Sequence, residues 1–191
     1  MIHDVRIRHI SEGDWDGITA LEAGVYAKDG LSEGRAALRS KAHASPATCF
    51  ALDVERRLAG YLLALPYPVS EYPDLNRTEG VVFHSRNLHL HDLVVAEESR
   101  GRGLAKRLLR HVMGTAAAKG YEEISLVAVS GSDTFWSANG YTARHEVAPP
   151  AGYGADAVYM SRTVPGGGRT GKKTNLAHDL LYGAPLEDEV G

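Results

Sequence analysis

A turn rich in glycine and arginine has the residue types that bind phosphate groups. It reads Arg100-Gly101-Arg102-Gly103-Leu104-Ala105 and lies between an apolar run and an amphipathic segment. Free backbone N–H groups at the start of a helix, together with the helix dipole, attract anions. The glycines allow close approach of a ligand, and the arginines add positive charge. The turn is therefore predicted to bind phosphate; the alternative is a solvated basic turn.

Other chemistries are less well supported by the motifs. The turn is not a Walker loop, because no Gly-Lys-Ser/Thr follows it, and Lys106 stands where a dinucleotide fingerprint needs its last glycine. The nine histidines show neither an HExxH motif nor a Cys/His spacing, so no metal site is predicted. Cys49 is the only cysteine, which excludes an intrachain disulfide. Its neighbours are typical of a buried strand, so we expect it to be a small core residue.

Two histidines and an aspartate come just before the turn, in the stretch "HLHDLVV". Strand alternation predicts His89 and His91 on one face of the sheet and Asp92 on the other.

The elements that must position these residues alternate along the chain as strands and amphipathic helices. We predict strands over residues 4–10, 48–54, 57–68, 88–95, 122–129, 141–147 and 156–163. We predict helices over 14–27, 31–44, 103–119 and a short stretch within 131–141. Ser32 is the expected cap of the second helix, Gly120 follows the third, and a turn at Glu55–Arg56 makes a hairpin. Residues 66–87 are predicted to be a long loop, which is usually functional or disordered.

The composition indicates one globular domain followed by a tail. The chain has 191 residues, of which 43% are hydrophobic and 24% charged, and its formal net charge is −3. This balance argues against a broad nucleic-acid-binding surface. No stretch approaches the roughly 20 apolar residues of a membrane span, and no secretory signal is evident, so a cytoplasmic location is expected. Residues 1–163 are predicted to be the domain, and 164–191 a Gly-rich linker and flexible tail.

The turn and its surroundings resemble the GCN5-related N-acetyltransferase (GNAT) family. The family motif Arg/Gln-x-x-Gly-x-Gly/Ala matches Arg100, Gly103 and Ala105. The preceding "HDLVV" is similar to the family's fourth strand. The later "FWSANGY" is similar to its Phe-Tyr-x-x-x-Gly-Phe segment. The resemblance covers roughly residues 4–163.

The resemblance implies an α/β (α+β) acyl-CoA N-acyltransferase fold. Its mixed, mostly antiparallel sheet would have six to seven strands, splayed between strands 4 and 5 and flanked by about four helices. Acetyl-CoA, the acyl donor, would lie in the splay with its pyrophosphate on the amides of 101–105 and its pantetheine along 93–95. The N–H of Val94 or Val95 would polarise the donor carbonyl. The implied donor-binding residues are Leu93, Val94, Val95, Arg100, Gly101, Arg102, Gly103, Leu104, Ala105, Ser132 and Trp136.

The resemblance also assigns catalytic candidates. His91 occupies the position at which some members carry a glutamate base, and the ordinary histidine pKa of about 6.5 suits that role. His91 as a pocket-lining or purely structural residue is the alternative, and Asp92 is the second candidate for the base. Trp136 replaces the family's usual acid, a tyrosine, and is expected to pack against pantetheine, because indole is not a useful acid. Ser132, Tyr141, water or no specific group would then protonate the leaving thiolate.

The acceptor site of this fold is built from the first helices and the loop before the fourth strand. The implied residues are Trp15, Tyr26, Tyr67, Tyr72 and His89, with Glu71 and Asp74 nearby. The main hypothesis is acetyl transfer to a primary amine of a small molecule by a monomer or homodimer. The alternatives are another donor, either a longer acyl-CoA or an aminoacyl-tRNA, and a non-catalytic acyl-CoA-binding module.

Overall fold

Seven strands form one mixed sheet, which confirms the predicted fold class. The computed structural model describes residues 4–148 and 151–167. The strands are β1 (Val5–His9), β2 (Phe50–Val54), β3 (Arg57–Pro66), β4 (Asn87–Val95), β5 (Glu123–Ala128), β6 (Thr142–Ala143) and β7 (Val158–Thr163). Their order in the sheet is β1-β2-β3-β4-β5-β7-β6. Within the described part of the chain, all neighbours are antiparallel except β4 and β5.

Helices cover both faces of the sheet. They are α1 (Trp15–Tyr26), α2 (Arg35–Ala44), α3 (Leu104–Lys119) and α4 (Asp133–Ala138). One core cluster packs α1 and α2 against residues such as Tyr61 and Leu63 of β3. The other packs α3 and α4 against their neighbours Leu62 and Ala64. Successive strand residues point to opposite faces, so a strand in the middle of the sheet is apolar along its whole length.

The sheet splays open between β4 and β5. These strands pair only over Asn87–His89 and Glu123–Ser125, although β4 continues to Val95 and β5 to Ala128. The edge of β4 that faces β5 therefore has no strand partner from Leu90 onward. The splay, which the family resemblance implied, opens a cavity between the two strands.

The second helix begins later than the sequence predicts. Ser32 does not cap it, because its hydroxyl donates to Glu22 Oε2 at 2.6 Å, and the N–H of Glu33 donates to Glu22 Oε1 at 2.7 Å. Gly34 takes a left-handed φ of 79° at the N-cap, and the helix starts at Arg35. The buried Glu22 thus holds residues 32–33 as an ordered loop at one end of the cavity.

The last part of the domain is less regular than predicted. The strand predicted over 141–147 pairs only at Thr142–Ala143. It ends there because residues 144–147 form a turn, which is closed by a hydrogen bond from Val147 N–H to Arg144 O. After β7, Val164 is buried, and its N–H donates to Glu122 O at 2.8 Å, so the packed domain continues past residue 163. The rest of the predicted tail, 168–191, lies outside the described residues. No helix in the described ranges is long and apolar enough to span a membrane.

Candidate active site

The glycine- and arginine-rich turn Arg100–Ala105 joins the end of β4 to α3. Gly101 and Gly103 both have a φ of 73°, a left-handed conformation that favours glycine. Gly103 is the N-cap of α3 and provides no side-chain cap, so the first N–H groups of the helix keep their capacity to bind an anion. A Cβ built on either glycine would contact nothing within 4 Å. The turn therefore has open space on its ligand side.

A cavity of about 780 Å³ extends from this turn through the splay. Of the predicted donor-binding residues, it is lined by Leu93, Val94, Val95, Arg100, Gly101, Gly103, Leu104, Ala105, Ser132 and Trp136. Arg102 does not line it. Arg100 folds back so that its Nε donates to Val95 O at 3.1 Å. One continuous space therefore joins this turn to the edge of β4 that has no strand partner.

The backbone of β4 presents alternate N–H groups to the cavity. Ala96 N–H donates to Ala59 O at 2.8 Å, toward β3. In an antiparallel pair alternate residues bond to the same neighbour, so Val94 also faces β3, while Leu93 and Val95 face the β5 side. The sequence left Val94 and Val95 open as donors to a bound carbonyl, and this geometry favours Val95.

A register shift in β4 changes the predicted orientation of Asp92. Leu63 of β3 pairs with Asp92, but the next residue, Ala64, pairs with Leu90, so His91 is an extra residue without a partner. Such a bulge puts two consecutive side chains on one side of the strand. Asp92 consequently lies on the α1–α2 side together with His91, and the predicted placement on opposite faces was wrong.

His91 is one of the cavity-lining residues, and its side chain belongs to a buried chain of hydrogen-bonded groups. Its Nε2 lies 2.5 Å from Glu33 Oε1, and Glu33 Oε2 accepts a hydrogen bond from Lys41 Nζ at 2.5 Å. The His91, Glu33 and Lys41 side chains are 1%, 5% and 0% exposed. Burial by itself would raise the pKa of Glu33, but the interactions of its carboxylate with His91 and Lys41 outweigh burial and lower the pKa.

Asp92 lies beside this chain in a cluster with two tyrosines. Tyr26 OH donates to Asp92 Oδ1 at 2.9 Å, and Tyr61 OH donates to Oδ2 at 2.5 Å. Burial raises the pKa of Asp92 from 3.8 to about 6, and burial also raises the pKa of both tyrosines well above the ordinary value. With both of its oxygens bonded, Asp92 holds Tyr26 at the cavity wall.

The remaining predicted residues are distributed between the core and the surface. Tyr141 is a buried core residue outside the cavity lining, packs edge-on against Trp136, and has its pKa raised by burial. Trp15 is 1% exposed in the other core cluster. His89 is buried, lies 3.0 Å from Ser125 Oγ through Nδ1, and has its pKa lowered by burial.

Of the predicted acceptor residues, the cavity is lined by Tyr26 alone. Tyr67 packs against Phe83, and Tyr72 donates to Ala148 O at 2.6 Å, so both support the long loop.

Several residues of the site were missed from the sequence. They are Glu33, Lys41, Tyr61 and Tyr153, the last of which lines the cavity and donates to Pro73 O at 2.5 Å. A signal existed for Lys41: it lies three and four positions after the buried Leu38 and Ala37, where an amphipathic helix faces the core. Glu33 lies in the loop before α2 and has no such pattern.

Comparison with known proteins identifies the family to which this architecture is related. The model of the acetyltransferase (GNAT) family matches residues 15–141. No curated protein matches the chain. The structure is similar to that of Ard1 from Thermoplasma volcanium, with 18% identity, a TM-score of 0.64, and coverage of 84% of this chain and 97% of that one.

Two further solved structures show the same fold. PaiA N-acetyltransferase from Thermoplasma acidophilum, in complex with coenzyme A, has 14% identity and a TM-score of 0.62, covering 84% of this chain and 99% of that one. GphF, a GNAT-like decarboxylase in complex with isobutyryl-CoA, has 19% identity and a TM-score of 0.70, covering 83% and 99%.

Proposed function

The chain belongs to the acetyltransferase (GNAT) family, and we propose that it transfers the acetyl group of acetyl-CoA to a primary amine of a small molecule. The observation that carries the proposal is the continuous cavity, which is lined by the Arg100–Ala105 turn at one end and by His91 at the other. An acyl donor held by its phosphates at the turn would bring its thioester to the β4 bulge.

The donor would be held mainly by backbone groups. Its pyrophosphate accepts hydrogen bonds from the N–H groups of 101–105, where the helix dipole favours negative charge. Its pantetheine pairs with the edge of β4 that has no strand partner, over Leu93–Val95. The N–H of Val95 polarises the acetyl carbonyl and stabilises the oxyanion that forms when the amine attacks.

His91 would serve as the base. The acceptor arrives as an ammonium and must lose a proton before its nitrogen attacks the thioester carbon. Attack forms the C–N bond, the C–S bond then breaks with the electron pair leaving on sulfur, and the nitrogen loses its second proton to give the neutral amide. Because Glu33 engages Nε2, the proton would go to Nδ1 of His91.

The leaving thiolate would be protonated without a tyrosine. Trp136 carries no acidic group, and Tyr141 lies in the core. Ser132 lines the cavity, and its Oγ accepts a hydrogen bond from Val129 N–H at 3.2 Å, which leaves its own hydrogen available. The second proton lost by the amine nitrogen would reach the thiolate through Ser132 or through water in the cavity, and the relaying group ends unchanged.

The acceptor end favours a small molecule. Beyond the predicted donor groove, the cavity is lined by Val25, Tyr26, Lys28, Asp29, Leu31, Leu75 and Tyr153. This wall mixes apolar side chains with the charged groups of Lys28 and Asp29, and the carboxylate of Glu33 also lines the cavity. Asp29 accepts a hydrogen bond from Ser130 OH at 3.0 Å, which links the two loops on either side of the cavity.

A panel of primary amines tests the function. We expect acetyl-CoA to release free thiol in proportion to acetylated amine, identified by mass, with at least one class among amino acids, polyamines, amino sugars and arylalkylamines. Longer acyl-CoA donors and an aminoacyl-tRNA are run in parallel; a steep salt dependence of tRNA binding would favour the RNA donor. Tight acetyl-CoA binding without any acetylated product across the panel would contradict the proposed acceptor class.

Substituting Gly103 tests the donor site. An alanine at φ 73° is strained by about 1–2 kcal/mol, and its Cβ would enter the cavity that Gly103 lines. We expect Gly103→Ala to raise the acetyl-CoA dissociation constant about tenfold in calorimetry.

The matched control is Gly114→Ala in the same helix. Gly114 is exposed, and a Cβ there would meet nothing within 4 Å. We expect it to leave the dissociation constant unchanged and to stabilise the helix by up to about 1 kcal/mol. Equal dissociation constants in the wild type and both variants would refute the phosphate role of the turn.

A further inference from the structure

The buried chain Lys41–Glu33–His91 suggests a role for two residues that the family motifs do not include. We infer that Glu33, held in place by Lys41, fixes the proton of the neutral His91 ring on Nε2 and so leaves Nδ1 as the base. Glu33 and Lys41 are thus positioning residues. The catalytic part of this inference rests on the proposed function of His91, whereas the proton position can be tested without any substrate.

The first step is the direction of the hydrogen bond between Glu33 and His91. An ionised carboxylate only accepts hydrogen bonds, so at 2.5 Å from Glu33 Oε1 the Nε2 of His91 must be the donor. A neutral imidazole carries a single N–H, and its other nitrogen then holds a lone pair. The partner of Nε2 therefore decides the chemistry available at Nδ1.

The second step is the state of Nδ1. Within the described ranges, Nδ1 of His91 is buried and has no hydrogen-bond partner. His91 is nevertheless one of the residues that line the cavity, although only 1% of its side chain is exposed. A buried lone pair without a donor is unfavourable by itself, and an ammonium group in the cavity would supply the donor it lacks. An unpaired ring nitrogen next to the cavity can act as a base once the ammonium group of the substrate reaches it.

The third step is the role of Lys41. Its ammonium group has three hydrogens and can only donate. It donates to Glu33 Oε2 at 2.5 Å, to Asp74 O at 3.3 Å and to Arg77 O at 3.4 Å. The side chain is completely buried, so water cannot replace a lost acceptor. Lys41 therefore needs an acceptor oxygen at residue 33, and its hydrogen bonds connect residue 33 to the long loop.

These hydrogen-bonding requirements of Lys41 and His91 predict that Glu33→Gln moves the ring proton of His91. The ammonium of Lys41 can only donate, so the single amide oxygen of the glutamine turns toward it. Lys41 stays in place because it bonds to the carbonyls of Asp74 and Arg77 and interacts with the carboxyl group of Glu79. The NH₂ group of the new glutamine then faces Nε2 of His91, which must become the acceptor. The ring proton moves to Nδ1, and the base loses its lone pair although the substitution preserves size and shape.

A second substitution is expected to reverse this effect. In Glu33→Gln/Lys41→Met, residue 41 no longer requires an acceptor, so the amide oxygen at position 33 can turn toward His91 and accept from Nε2–H. The NH₂ group of the same amide can then donate toward the carbonyls that Lys41 released. Replacing a buried ion pair by neutral groups of similar size is often tolerated. A purely structural role would instead make the double variant the worse of the two.

Nitrogen-15 NMR of the histidine rings reads out the proton position directly. With the signal assigned by its loss in His91→Gln, we expect Nε2–H in the wild type, Nδ1–H in Glu33→Gln, and Nε2–H again in the double variant. Nδ1–H in the wild type would overturn the inference without any variant. Retention of Nε2–H in Glu33→Gln would overturn it as well.

Kinetics separates this inference from the proposed function. We expect kcat to fall about 100-fold in Glu33→Gln and to recover about tenfold in the double variant, with the acetyl-CoA dissociation constant unchanged. A shifted ring proton with an unchanged kcat would support the control of the proton position by Glu33 and would refute His91 as the base.

Discussion

His91→Gln is expected to lower kcat by about 100-fold or more while acetyl-CoA binds as it does to the wild type. The glutamine can still bond to Glu33, so the buried ion pair with Lys41 keeps its partner. The variant loses only the ring nitrogen that accepts the ammonium proton, and general base catalysis typically contributes a factor of about 10² to 10⁴. The measurement is kcat against pH with a saturating amine from the panel.

The shape of the pH profile distinguishes a base from a pocket wall. In the wild type the rate should rise with pH as the base loses its proton, and this limb should be absent in His91→Gln. His84→Gln, which changes an exposed histidine outside the cavity lining, is the matched control and should retain the wild-type profile. An unaltered profile in His91→Gln would leave His91 as a pocket or structural residue.

Asp92→Asn is expected to change how stability depends on pH. In the folded chain the pKa of Asp92 is raised from 3.8 to about 6, which corresponds to about 3 kcal/mol. Between these values the folded state binds the proton and the unfolded state does not. The contribution of Asp92 to stability is therefore full below about pH 4 and is lost as the pH rises through 6.

Urea unfolding across this range provides the test. Asparagine keeps the size of Asp92 and can accept from one tyrosine while donating to the other, and it has no proton to lose. The free energy of unfolding of the variant should therefore rise relative to the wild type by about 3 kcal/mol between about pH 3.5 and pH 7. The exposed Asp156→Asn is the control and should run parallel to the wild type. Parallel curves for Asp92→Asn would show that burial does not perturb this carboxyl group.

Local sequence patterns were sufficient to predict the glycine- and arginine-rich turn and the helix that follows it. The turn joins a strand to a helix within a few residues, and two glycines with left-handed φ lie at the junction. Such features depend on neighbours in sequence, so the turn at residues 100–105 could be predicted from local spacing. The order of elements along the chain was also sufficient to predict the mixed sheet, and the family resemblance was sufficient to predict its splay.

Sequence patterns could not predict a residue's environment where that environment depends on segments distant in the sequence. Trp15 and Tyr26 are aromatic residues at opposite ends of the same helix, yet only Tyr26 lines the cavity and Trp15 is buried in the core. Aromatic residues suit both environments equally, and only the packing of α1 against the sheet decides between them. Tyr141 likewise had the right chemistry for an acid but lies in the core.

The sequence by itself determined the class of protein and the position of the glycine- and arginine-rich turn between a strand and a helix, because both follow from local spacing and the order of elements. The tertiary structure alone decided what surrounds His91. A register shift against β3 makes His91 an extra residue and turns Asp92 to the same side. Glu33, 58 positions away in the sequence, meets the ring through a loop that Glu22 holds in place. Pairing register and long-range contacts carry no periodic signal, so the acid–base environment of the site emerges only when the chain is folded.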